Sequence, residues 1–175
     1  MKLLTIVFLL AVLICMGFSC DTELRVINLA TEMSKKYDVK KRDYVVIIDY
    51  SKSILSERLY VVDMAKKRIV ISSRVSHAYN SGLIHATDFS NVPGSEKSSL
   101  GAYITGGTKY GKFGYSMYVR GLESQNSNAY SRNIIFHSNK KMDFAWSAGC
   151  FATPEETNRQ IIDLVKGGTL VYIFR

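Results

Sequence analysis

The chain has 175 residues, with 23 Lys or Arg against 15 Asp or Glu and a formal net charge of +8. Three cysteines are too few for a disulfide framework. The basic residues are scattered over Lys35-Lys36, Lys40-Lys41-Arg42, Lys66-Lys67-Arg68 and Lys140-Lys141, mostly beside turns, which reads as solvated loop charge and argues against a nucleic-acid partner.

Lys2 is followed by an apolar run from Leu3 to Phe18, which at 16 residues falls short of the roughly 20 needed to cross a bilayer. With the small Ser19 behind it, segment 1–19 reads as a secretory signal; a buried N-terminal helix would show a polar face. Cys20 would then be the first mature residue and a candidate for lipidation, hence for membrane anchorage, although Gly17 sits where a lipoprotein signal favours leucine. Removal of 19 residues leaves 175 − 19 = 156 with a net charge of 8 − 1 = +7, enough chain for one sizeable core. An exported basic protein of this kind suits an acidic polymer of the cell envelope, and the expected localisation is the periplasm or envelope. Cys15 leaves with the signal, so Cys150 is either bridged to Cys20 or a lone exported thiol.

From Thr22 to Tyr37, Leu24, Ile27, Ala30, Met33 and Tyr37 recur at three- and four-residue spacing, which predicts an amphipathic helix within an N-terminal segment 20–43. A mostly β domain is expected over 44–175. Tyr44–Asp49 reads as a buried strand, and Arg58–Asp63 with Arg68–Val75 as a hairpin around Met64-Ala65-Lys66-Lys67. Ser76–Ser99 is poor in apolar residues and predicts a long loop or flap. Leu100–Gly107 and Ser116–Gly121 predict strands, Asn126–Ser131 a loop, and Arg132–His137 a strand with Ile135 and His137 on one face and Ile134 and Phe136 on the other. After Cys150, Thr153, Pro154 and Glu156 spell an N-cap, an N1 proline and a capping box for a helix carrying Ile161, Ile162 and Val165, which Gly167-Gly168 stop. Thr169–Phe174 predicts a last strand. The fold class is therefore α+β, mostly β.

The stretch of most chemical interest is RNIIFHSNKKMDFAWSAGCF, Arg132 to Phe151. A thiol is nucleophilic as thiolate, and a histidine within reach supplies the base. His137 closes one predicted strand and Cys150 opens the next ordered segment, so a return loop could join them. Gly149 permits a sharp turn that aims amides at a substrate carbonyl, and amides at the following helix N-terminus would favour the thiolate. The bland alternative for Cys150 is a small buried hydrophobe. Gly106-x4-Gly111-Lys112 approaches a phosphate-binding loop but places Phe113 where Ser or Thr must hold magnesium. His77, His85, Asp88 and His137 lack zinc-ligand spacing, so neither a metal nor a cofactor is expected. Trp146 and Phe144 suit a substrate groove or a core rim.

These residues resemble the exported L,D-transpeptidases, and most closely the branch of murein L,D-transpeptidase catalytic domains (YkuD-like cysteine transpeptidases). The family motif, a histidine, a spacer and Ser/Thr-x-Gly-Cys, corresponds to His137 and Ser147-Ala148-Gly149-Cys150. VSHAYNSG, FSNVPGSEKSSLGAYITGGTKYGKFGYSM, GLE, SRNIIFH and DLVKGGTLVYIF resemble this branch in order, so the likeness covers roughly Tyr44 to Arg175. It implies a β-sandwich or barrel with an N-terminal helix and one helix after the cysteine. It also implies a Cys150 thioester with a peptidoglycan stem peptide, His137 as base, a backbone carbonyl near Ser138 orienting the imidazole, and amides of Gly149 and Cys150 as oxyanion donors. Ser147, Arg132, Trp146 and His77, the last facing the cleft, are the expected substrate contacts. The chain departs from better-studied members in having Ala148 where histidine is frequent, Phe151-Ala152 after the cysteine, and nine residues between His137 and Ser147. An L,D-carboxypeptidase, a non-catalytic murein-binding protein and a zinc peptidase are the competing readings.

Overall fold

The structure, a computed structural model, describes residues 21–139 and 146–175. The expectations for segment 1–19, Cys20, Lys140-Lys141 and Phe144 lie outside the described residues.

The first helix, α1, spans residues 21–36. Its buried face is Val26, Ala30 and Met33, while Leu24 stands 57% exposed. The helix thus lies rotated from the predicted stripe, because a row at i, i+4 and i+7 starting from Val26 meets the sheet. Among the described residues ten strands follow: β1 (Lys41–Asp49), β2 (Leu59–Asp63), β3 (Arg68–Ser73), β4 (His77–Ala78), β5 (Gly101–Gly111), β6 (Gly114–Gly121), β7 (Ile135–Asn139), β8 (Trp146–Ser147), β9 (Phe151–Pro154) and β10 (Thr169–Phe174). The second helix, α2 (Glu155–Val165), separates β9 from β10. Eight strands form one sheet in the order β3-β2-β1-β10-β5-β6-β7-β9, and β4 with β8 forms a small parallel pair. The mostly β, α+β architecture expected from the sequence is the one observed.

Continuous apolar runs in β1 and β10 put residues on both faces of the sheet, and each face has its own cover. Val45 and Ile47 join Val62 and Leu170 under α1, with Val26, Ala30 and Met33. Val46, Ile48, Val171 and Ile173 face the other way, into a cluster with Met117, Phe136, Phe151 and the α2 residues Ile161, Ile162 and Val165. Strands from opposite ends of the order share this second cluster, so the sheet curls around it. The helix α1 therefore belongs to the same packed body as the strands.

Two local readings are corrected and a third is refined. β7 begins at Ile135, not Arg132: Ile134 N–H donates to Ala129 O at 2.9 Å and Asn133 has φ +55°, so 132–134 turns before pairing starts. The capping box does not form, because β9 runs through Pro154 in register with Asn139, and Pro154 caps α2 with no side-chain hydrogen bond. Thr153 is buried in β9, its hydroxyl 3.3 Å from Asn158 Oδ1. Segment 76–99 is the expected long loop, with Tyr79, Leu83 and Val92 exposed, but it is pinned to the fold where Ser76, His77, Ser81, Ser98 and Ser99 are buried. Its polar side chains satisfy backbone groups inside the fold, which a hydropathy pattern cannot distinguish from solvent exposure.

Phe136 is fully buried with its ring 4.9 Å from that of Phe151. Phe136→Ala is expected to destabilise by about 3–5 kcal/mol, read as a lower urea midpoint at unchanged slope.

Candidate active site

β7 and β9 are parallel neighbours, with Phe136 opposite Phe151 and His137 opposite Ala152. Cys150 lies one residue before β9, two positions from Ala152, so the period of two sends its side chain to the same face as His137. Both line a groove of about 880 Å³, together with Phe113, Tyr115, Arg132, Asn133, Trp146 and the α2 residues Glu155, Asn158 and Arg159.

The turn that presents Cys150 is fixed by two serines. Ser147 Oγ donates to Cys150 O at 2.8 Å and accepts from Gly149 N–H at 3.0 Å. Ser76 Oγ donates to the same carbonyl at 2.9 Å and accepts from Ala152 N–H at 2.9 Å. Gly149 has φ +127°, and a β-carbon there would lie 2.7 Å from Ile134 Cδ1 and 3.2 Å from Arg132 Nη2. Glycine is required at this position by conformation and by space. The expectation that the Gly149 amide faces an oxyanion is corrected: its N–H is taken by Ser147 in a local hydroxyl turn.

His137 is 8% exposed. Its Nδ1 lies 2.9 Å from Ser138 O, and a carbonyl can only accept, so Nδ1 carries the proton and Nε2 keeps its lone pair. Burial pulls its pKa below the ordinary 6.5, opposed by the Ser138 hydrogen bond, so the ring is neutral at neutral pH. The Cys150 thiol is 3.6 Å from Asn133 O. Burial raises its pKa, against the Ile135 backbone hydrogen bond and the charges of Arg132 and Lys109, which lower it. The expected help from a helix N-terminus is absent because β9 intervenes before α2. At rest the site holds a neutral thiol parked on a carbonyl and a neutral imidazole whose Nε2 has no hydrogen-bond partner among the described residues.

Arg132 lines the groove while its Nη1 donates to Ser90 O at 2.9 Å and its Nη2 to Lys97 O at 2.5 Å, so it also clamps the 90–97 segment. Trp146 lines the groove with its Nε1 donating to Leu83 O at 2.9 Å and its ring 5.5 Å from that of Tyr79. Ser138 contributes its carbonyl to the imidazole and its hydroxyl to Phe113 O at 3.3 Å.

His77 is not brought into the groove. It is fully buried, with Nε2 2.7 Å from Gly82 O and Nδ1 3.0 Å from Arg58 Nη2. The guanidinium can only donate, which leaves Nε2 as the protonated nitrogen. Both nitrogens are used in the fold, and burial keeps the ring neutral by lowering its pKa. Among the described residues, no three His, Cys, Asp or Glu side chains converge as a metal site. Sequence reasoning missed Ser76, Phe113 and Tyr79; the first and last sit in VSHAYNSG, whose buried serine gives no periodic signal.

The fold and the groove define a class: a mostly β domain whose curled sheet presents a cysteine and a histidine from adjoining parallel strands. The chain belongs to the L,D-transpeptidase catalytic domain family, which matches residues 20–174. The chain has no match among curated proteins. Among solved structures it is similar to the helical cell shape determining protein Pgp2 from Campylobacter jejuni, at 13% identity and TM-score 0.53 over 77% of this chain and 48% of that one. It is also similar to a fused Zn-dependent amidase/peptidase/peptidoglycan-binding domain-containing protein from Clostridium acetobutylicum, at 14% and 0.51 over 88% and 62%. A third likeness is to the Ldtfm–avibactam carbamoyl enzyme, at 10% and 0.51 over 76% and 49%. At such identities the likeness is one of fold, and the chain spans between 48% and 62% of the length of these proteins.

Two outcomes are expected. Gly149→Ala combines a left-handed backbone with a 2.7 Å contact and is expected to cost about 1–3 kcal/mol, read as a lower thermal midpoint together with loss of Cys150 reactivity. A raised thiol pKa means less thiolate at a given pH, so alkylation of Cys150 by iodoacetamide is expected to be slow at neutral pH. Its rate should still be climbing at pH 9.0, the ordinary thiol value; a plateau at neutral pH would instead indicate a preformed ion pair.

Proposed function

We propose that the protein is an exported cysteine acyltransferase that acts on peptidoglycan stem peptides, forming cross-links with release of D-alanine. The observation that carries this reading is the neighbouring placement of Cys150 and His137 on one face of β7 and β9, with the imidazole proton held on Ser138 O so that Nε2 faces the chemistry. In support, the groove carries Lys112, Arg132 and Arg159 against Glu155, a cationic surplus that suits the carboxylates of a stem peptide. Export through segment 1–19, leaving Cys20 at the new N-terminus as a site for a lipid anchor, would bring the domain to that polymer.

In the reaction, rotation of the Cys150 side chain off Asn133 O brings the thiol to His137 Nε2, which takes its proton as sulfur adds to the carbonyl of the third residue of a tetrapeptide stem. With the Gly149 amide engaged by Ser147, the oxyanion is assigned to the Cys150 amide, a contribution of about 3 kcal/mol for one donor. The carbon–nitrogen bond then breaks, His137 returns the proton to the departing D-alanine amine, and a thioester remains. An amine of a second stem attacks that thioester, His137 removes its proton, and sulfur leaves as the thiol. Water in place of the amine gives a carboxypeptidase from the same intermediate.

Intact-mass spectrometry after exposure to a carbapenem, a class that L,D-transpeptidases accept as pseudo-substrate, tests the nucleophile. A single stoichiometric adduct that is lost in Cys150→Ala and at least ~100-fold slower in His137→Gln is expected. No adduct on the native protein would support a non-catalytic murein binder. Separation of the products formed from donor and acceptor stems then assigns transfer or hydrolysis.

A further inference from the structure

The residue that spoils the phosphate-loop reading of the glycine-rich stretch, Phe113, sits on the imidazole. Strands β5 and β6 are joined by the two-residue tip Lys112-Phe113, with Gly111 paired to Gly114 and Gly114 at φ +70°. The tip lies over β7: a β-carbon on Gly114 would be 3.8 Å from Ser138 Oγ, and that hydroxyl donates to Phe113 O at 3.3 Å. The Phe113 ring then stacks on the His137 ring, with centroids 4.5 Å apart and planes inclined by 28°. Phe113 is nonetheless 46% exposed and belongs to neither apolar cluster of the fold. A large apolar ring at a hairpin tip that contributes little to the core, yet lies flat on a polar ring, has an effect mainly on that ring.

We propose that Phe113 is a positioning residue: a plate on the hairpin tip that fixes the plane of the His137 imidazole and keeps water from the face it covers. The inference rests on the reading of His137 as the base. The Ser138 carbonyl holds the imidazole by a single hydrogen bond at one edge, about which the ring can rock, because the outer torsion of a histidine is broad. Stacking on the face removes that freedom and directs the Nε2 lone pair into the groove. Excluding water from the same face favours the neutral ring, in keeping with burial as the largest influence on its pKa. The other titratable or charged groups lining the groove are Tyr79 just after β4, Lys112 and Tyr115 from the hairpin, Arg132 ahead of β7, Cys150 ahead of β9, and Glu155 and Arg159 from α2. All of these are retained when Phe113 alone is changed.

The test compares native protein with Phe113→Ala and Phe113→Tyr by NMR titration of histidine ring resonances, assigned with His137→Gln, alongside pH profiles of kcat and KM on a tetrapeptide stem. The buried His77 provides an internal check that the fold is intact. In Phe113→Ala the His137 titration is expected to move up towards 6.5, its ordinary value. The acid limb of kcat should move with it, kcat should drop by about tenfold and KM should hold, while Phe113→Tyr, which keeps the flat ring, restores both. An unmoved His137 titration in Phe113→Ala, with His77 unperturbed, overturns the proposal. So does a change confined to KM, which would make Phe113 a substrate contact. A shifted titration in a protein that turns over no stem peptide counts against the acyltransferase reading and leaves the plate in place.

Discussion

The main chain of Cys150 is held from two directions at once, and the geometry of the site depends on that hold. Its carbonyl accepts from the hydroxyls of Ser147 and Ser76, which uses both of its lone pairs. Ser147 is local, but Ser76 comes from a segment that must itself be anchored. Ser76 N–H donates to Ala152 O, Tyr50 Oη donates to Ser76 O, and the fully buried Arg58 donates from Nε and Nη2 to Val75 O. A buried guanidinium on neutral acceptors carries a desolvation penalty, visible as a pKa lowered to about 10, yet it stays charged at neutral pH. Its remaining contacts, Lys52 O, His77 Nδ1 and the face of Tyr50, spread that charge over a rigid cluster beneath the nucleophile. This buried cluster makes the 75–77 segment stiff enough to act as a brace for β9.

A stiff backbone matters because the resting groups are not activated in advance. Burial favours the uncharged forms of both Cys150 and His137, so the electrostatics oppose a thiolate–imidazolium pair. What remains is general-base chemistry, which depends on bringing two neutral groups together within hydrogen-bond reach in the substrate complex. The Ile135 amide and the Arg132 and Lys109 charges then stabilise negative charge where it forms, on sulfur. Placement replaces prior ionisation.

The parts of the fold legible in the sequence are those where one residue pattern answers one physical demand. Thr169–Phe174 reads as a strand and is β10 over that span, because a central strand buried on both faces leaves no alternative to a continuous apolar run. The pair His137 and Cys150 was legible from a short motif. What stayed hidden depends on partners remote in sequence. His77 looks like a polar loop residue until Arg58, 19 positions earlier, takes its Nδ1. Thr153 and Pro154 carry a strong helix-start signal, but pairing with Ser138 and Asn139 draws them into β9, and tertiary pairing overrides the local preference. Arg132-Asn133-Ile134 alternates like a strand because Ile134 is needed in the core under Gly149, although its backbone is a turn. The available hint was Asn133, since asparagine tolerates the left-handed region in which it is found.

The parallel sense of β7 and β9 explains why histidine and cysteine stand so far apart in the chain and so near in space. An antiparallel partner could be reached through a two-residue turn, whereas a parallel one requires the chain to travel back to the starting end of the first strand. Ahead of Cys150, β8 pairs with β4, tying the approach to the cysteine to the segment that carries Ser76. The crossing sets Cys150 at the beginning of its strand pairing and His137 two positions further along the partner. Across strands about 4.8 Å apart, with a rise of about 3.3 Å per residue, that offset is roughly 8 Å between backbones. Two side chains pointing to the same face can close such a gap, but one residue of slip would send the sulfur into the core beside Phe136. Register, held by the two serine hydroxyls and the constrained Gly149, is therefore the variable on which the chemistry turns.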